Sequence, residues 1–100
     1  MSRYILQPHV LPELEEIWEY IRGFNEAAAW RVVDAAFETF QTLAESPFIG
    51  VKFSRRKPGG IRFLPITQFP TYLVFYRPQE DFVEILHVLH GSRDLVKLVR

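Results

Sequence analysis

Between His87 and Asp94 the chain reads HVLHGSRD, which places two histidines, a serine, an arginine and an aspartate within eight residues. Three kinds of chemistry use such residues. A zinc site needs at least three converging ligands, and two that share a face of a strand stand at i and i+2. His87 and His90 are three apart, His9 is distant in sequence, and the chain has no cysteine, so no metal site is expected. A serine nucleophile needs a strained G-x-S-x-G elbow, which is missing around Ser92; that serine reads as a turn residue after Gly91. A metal-free ribonuclease needs a general acid and base together with cations for the phosphate. His90 fits the first role, and Arg93, Arg62, Arg77 or Lys57 the second. The structural alternative makes His90 a polar strand end and pairs Arg93 with Asp94 or a helix carboxylate. Residue types alone leave these two readings open.

The elements that must position these residues are legible in outline. Tyr4-Ile5-Leu6 before Pro8 reads as a first strand. Leu11, Leu14, Ile17, Trp18, Ile21 and Phe24 recur at helical spacing, with glutamates between them. Pro8 or Pro12 suits a first turn, and Gly23 followed by Asn25 reads as a stop and a new N-cap. A second helix is expected from Glu26 to Glu45, with Val33, Phe37, Phe40 and Leu43 on one face and Ser46-Pro47 at its end. With only a tight turn between them, the helices form an antiparallel hairpin. Phe48 to Gly60, rich in glycine and basic residues, reads as a loop. Strands are expected over Ile61–Phe69, Tyr72–Arg77 and Phe82–His90, the first edge-like or bulged at Pro65, the last two joined as a hairpin. Leu95 to Arg100 suggests a final helical turn. Helices in one block and strands in another give an α+β fold, with the hairpin on one face of the sheet.

Composition narrows the function classes. One hundred residues make one domain, over residues 1–100. At 48% hydrophobic and 15% aromatic, the chain is rich for so small a core, and part of that surface is expected to face a partner. Trp18, Phe37, Phe40, Phe75 and Tyr76 fall on periodic positions and read as core; Trp30 and Phe53 fit less well and are candidate contact residues. The absence of cysteine, of a signal-like run and of a spanning segment suits a cytoplasmic protein. The formal net charge of zero hides a split. Residues 1–50 carry 3 − 8 = −5 and residues 51–100 carry 9 − 4 = +5. Such asymmetry suits either a charged partner or mutual attraction across the domain.

Taken in order, these segments resemble the ParE-type toxins of the ParE/RelE superfamily, the toxin half of type II toxin–antitoxin (plasmid stabilisation) systems. The likeness rests on Leu14 to Ile21 (LEEIWEYI), Leu43 to Gly50 (LAESPFIG), Ile61 to Leu64 (IRFL), Tyr72 to Tyr76 (YLVFY) and Val88 to Asp94 (VLHGSRD). It implies an N-terminal strand and helix hairpin packed on a twisted antiparallel sheet. It also implies neutralisation by a ParD-like antitoxin whose C-terminal segment wraps the hairpin and sheet, in a hetero-oligomer that meets DNA only through the antitoxin. The expected antitoxin contacts are Phe24, Trp30, Phe53 and Arg56. The target implied is DNA gyrase, met through Arg62, Arg93 and Arg100, with no catalytic residue, cofactor or membrane involved. The alternative is a RelE-type mRNA endoribonuclease acting on the ribosome with His90, Arg93, Lys57 and Arg62. RelE-type members carry an arginine soon after the position of Tyr72 and a C-terminal tyrosine. Here Leu73 follows Tyr72, nothing aromatic follows Phe82, and the pI of about 6.8 is low for a ribosome-directed protein.

Overall fold

The computed structural model describes residues 3–53 and 60–94. Lys57, Arg56, Arg100 and the final helical turn expected at 95–100 lie outside the described residues. The elements run β1 (Tyr4–Leu6), α1 (Val10–Arg22), α2 (Glu26–Glu45), β2 (Val51–Lys52), β3 (Arg62–Ile66), β4 (Phe69–Pro78) and β5 (Val83–His90).

The hairpin forms as the pattern requires. Val10, Leu14 and Ile17 make the buried stripe of α1. The helix stops at Gly23, and Ile21 O accepts N–H bonds from both Phe24 and Asn25. Asn25 then caps α2, its side-chain oxygen accepting the Ala28 N–H at 3.0 Å. Small residues Ala29, Val32 and Ala36 let the helices approach, and Phe40 and Leu43 carry the stripe onto the sheet. Thr39, buried on that face, is satisfied by donating to Ala35 O at 2.8 Å.

The five strands lie in the order β1-β5-β4-β3-β2. All neighbouring pairs are antiparallel except β1 with β5, which runs parallel with Tyr4 opposite Val83, so the sheet is mixed. That pairing follows from the hairpin, which carries the chain across the sheet before the meander begins. Val74, Tyr76, Val83, Ile85 and Val88 meet the helices, forming one core with Leu14, Val32 and Phe40. Phe75 and Leu89, equally buried, alternate to the other face. There Phe75 packs against Phe53 and Phe63 with ring centroids 5.3 and 5.6 Å apart.

Three features depart from the sequence reading. The expected loop from Phe48 contains the two-residue strand β2. The β3–β4 turn falls at Thr67-Gln68 rather than after Phe69, with Gln68 at φ +71°. Trp18 and Phe37 are half-buried beside solvent instead of closed in the core. The irregularity expected at Pro65 is present as a register shift between Pro65 and Ile66. A second bulge inserts Leu86 into β5, since Phe75 pairs with His87 and Tyr76 with Ile85.

Candidate functional site

The HVLHGSRD stretch ends β5 in a turn that His90 organises. Its Nδ1 accepts the N–H groups of Ser92 and Arg93, both at 3.2 Å. The backbone N–H of His90 donates to Asp94 Oδ2 at 3.1 Å, and Gly91 N–H donates to Thr71 O at 2.7 Å. An Nδ1 that accepts two amide protons is unprotonated, so this network assigns the ring proton to Nε2. Asp94 bonds the His90 backbone, while the Arg93 guanidinium stacks on Tyr20 of α1, 5.3 Å from the ring centroid. Tyr72 lies edge-on to His90 at 5.6 Å. Burial raises the Tyr72 phenol pKa, and the neighbouring Arg93 charge opposes that rise.

Arg62 sits elsewhere. It faces Tyr76 on β4, whereas His90 faces Tyr72 from the opposite side of that strand. Four residues along β4 and two inter-strand steps separate them by about 13 Å lengthwise and about 10 Å across. Arg62 donates to Gly50 O at 2.8 Å and stacks over Phe48 at 5.1 Å. Beside it the Tyr76 hydroxyl donates to Pro47 O at 2.7 Å and accepts Gly50 N–H at 2.9 Å. Burial pushes the Tyr76 phenol pKa up; the Gly50 bond and the Arg62 charge pull against it. A Cβ at Gly50 would lie 2.5 Å from that hydroxyl, so glycine is what the close approach demands. These groups latch the end of α2 to the sheet. Arg77 pairs with Glu84 at 3.5 Å. Of the four residues of the nuclease reading, His90 and Arg93 are neighbours, Arg62 is remote, and Lys57 is outside the described residues.

The open surface lies between the helices. Leu11, Trp18, Trp30, Val33 and Phe37 line a cavity of about 410 Å³, with Glu15 and Glu19 on its rim. Trp18 and Trp30 meet edge to face at 5.3 Å, and Arg22 stacks over Trp18 at 5.1 Å. The Trp18 Nε1–H is buried without a hydrogen-bond partner among the described residues, a polar point in an apolar wall. Trp30 is 53% exposed and Phe24 78%. Phe24 lies beyond the end of α1, against Tyr20 at 5.3 Å. Phe53 is on the other face of the sheet, so the expected antitoxin contacts do not form one patch. Sequence reasoning missed Trp18 because its spacing matched the core stripe. The proximity of Trp18 to Trp30 depends on how the helices cross, which periodicity does not encode.

The α+β domain thus leaves a tryptophan-lined groove open on its helical face, an exposed apolar surface of the kind that marks interaction sites. A family model for the ParE toxin of the type II toxin–antitoxin system parDE matches residues 4–95, and the chain belongs to that family. Among solved structures, it is similar to a chain of the chromosomal ParDE toxin–antitoxin system from P. aeruginosa. That match has a TM-score of 0.73 at 17% identity, and covers 92% of this chain and 98% of the other. A search among curated proteins returns no match. No helix among the described residues is long and apolar enough to cross a membrane.

Proposed function

We propose that this toxin-family chain acts by binding: it inhibits DNA gyrase and is held inactive by a ParD-like antitoxin seated on its helix hairpin. The observation that carries the reading is the contrast between its two candidate surfaces. His90 spends Nδ1 on the turn, and Arg62 spends its guanidinium on the chain after α2, so neither is poised toward a common phosphate. The interhelical groove, by contrast, leaves large apolar side chains open to solvent, which a disordered segment folding on binding would cover. Glu15 and Glu19 at its rim favour a segment that places lysine or arginine beside its apolar anchors. Of the arginines expected to meet the target, Arg93 at the end of β5 is exposed, Arg62 is engaged with the chain after α2, and Arg100 lies outside the described residues.

Inducible expression without antitoxin, followed by a supercoiling assay with purified gyrase, tests the target. Lost supercoiling with intact early translation supports the gyrase reading. Rapid translation arrest with ribosome-dependent mRNA cleavage refutes it. His90→Ala sharpens the comparison: a general acid or base contributes about 10²–10⁴-fold to a rate, whereas a turn organiser changes stability by about 1 kcal/mol. The expected result is reduced stability with inhibition retained.

A further inference from the structure

Where α1 begins, three side chains, one from the turn before α1, one from α1 and one from β5, converge on a point that the groove and the β5 turn do not use. His9 precedes α1 as its N-cap, yet its side chain makes no capping bond; its Nε2 bonds Leu86 O. Asn25 shows what an ordinary cap does in this molecule, so the ring of His9 is directed elsewhere. It lies against His87, ring centroids 4.4 Å apart and planes 32° from parallel. The Leu86 bulge belongs to the same stretch of β5. His87 Nδ1 meets Glu13 Oε2 at 2.7 Å, and Glu13 Oε1 accepts the Val88 N–H at 2.9 Å. The Glu13 side chain is only 11% exposed and that of His87 22%. His9 is on the surface and leaves the cluster open to solvent.

We propose that His9, Glu13 and His87 form a binding site for a divalent transition metal, with zinc the best match. One ligand atom from each residue lies within 4.8 Å of the other two. Tetrahedral bonds of about 2.0–2.1 Å put ligand atoms about 3.4 Å apart, so the wider separations in the triad must close while the 2.7 Å His87–Glu13 contact opens, shifts within the reach of side-chain rotation. Two imidazoles and one carboxylate suit zinc, copper or nickel in preference to magnesium or calcium, which favour all-oxygen shells. The Val88 amide would hold the carboxylate from behind while it turns toward the ion, the support that metal-ligating carboxylates require. Three protein ligands leave a fourth position for solvent. The ordinary alternative is that Glu13 and His87 simply pair, fastening α1 to β5. The sequence argued against a metal because His87 and His90 diverge and His9 is remote. The fold keeps the first point and removes the second.

The test is titration of the full chain, freed of any affinity tag and treated with chelator, with zinc and with cobalt, independent of gyrase or antitoxin. Calorimetry should give one ion per chain, and the melting temperature should rise by about 6–11 °C at tenfold excess over Kd. Cobalt should develop the visible absorption of a low-symmetry site. His9→Gln, on the surface and therefore safe for folding, should weaken binding at least tenfold, as should His87→Gln, while His90→Gln leaves it unchanged. No saturable binding by the wild type, or affinity that survives both His9→Gln and His87→Gln, overturns the site and leaves the ion-pair clamp.

Discussion

Tyr76 shows how much a single polar atom can hold in this molecule. Its ring is fully buried in the core, and its hydroxyl joins Pro47 O to Gly50 N–H across the end of α2. Tyr76→Phe keeps the packing but strands the buried Gly50 N–H donor and the half-buried Pro47 carbonyl acceptor. The expected cost is about 1–3 kcal/mol in denaturant unfolding. The same hydroxyl sets an alkaline limit. Burial raises its pKa in the folded protein, so the folded state holds the proton more tightly than the unfolded chain does. Stability from this group is complete below the ordinary tyrosine value of about 10 and is lost as pH rises through the raised one. Tyr72, shifted in the same direction, adds to the effect. Unfolding midpoints measured from pH 8 to 11 should therefore fall steeply at the alkaline end, and less steeply in Tyr76→Phe. A wild-type midpoint that stays flat through that range contradicts the argument.

Among the elements, those with a strong period were readable and those defined by long-range geometry were not. Both helices, the Asn25 cap and the β4–β5 hairpin lie where apolar spacing and turn residues put them, because each signal is local. The two-residue β2 has no period to read. The turn at Thr67-Gln68 lacks the glycine or asparagine that usually marks a left-handed residue, and Pro70 just beyond it sits in β4 at an exposed position. The same limit governs the site. His90 was found because its neighbours are adjacent in sequence, although its role as organiser of the turn depends on atoms that spacing does not show. The contact of His9 with His87, and the groove between Trp18 and Trp30, exist only once the elements cross. For the groove, the consequence is measurable. Trp30 is half exposed and contributes little to the core, so Trp30→Ala should leave the melting temperature within about 2–3 °C of wild type. It should nonetheless weaken antitoxin binding by about ten- to a hundredfold, the range of a truncated aromatic anchor. Unchanged affinity would place the antitoxin elsewhere.

Charge works at the scale of the whole molecule. Residues 10–45, the helices and the turn between them, hold eight acidic side chains and two arginines, a net of 2 − 8 = −6, although the chain as a whole is neutral. Neutrality therefore gives no guide to the field a partner meets at the groove, where Glu15 and Glu19 stand beside the tryptophans. A basic antitoxin segment approaching this face would be steered by the long-range field and then held by apolar contact. These two contributions respond differently to salt. Surface charges more than a Debye length apart, about 10 Å at 0.1 M, are screened, whereas apolar burial is not. Raising ionic strength from about 0.05 to 0.5 M should lower the association rate roughly tenfold or more, as expected for a steered encounter, with a much smaller change in dissociation. Stopped-flow mixing of the two proteins measures both rates. Glu15→Gln with Glu19→Gln should reduce the salt slope of association without altering the fold, since both side chains are on the rim. A slope unchanged in that double variant would assign the steering to the other carboxylates of the hairpin and separate the acidic field from the groove it surrounds.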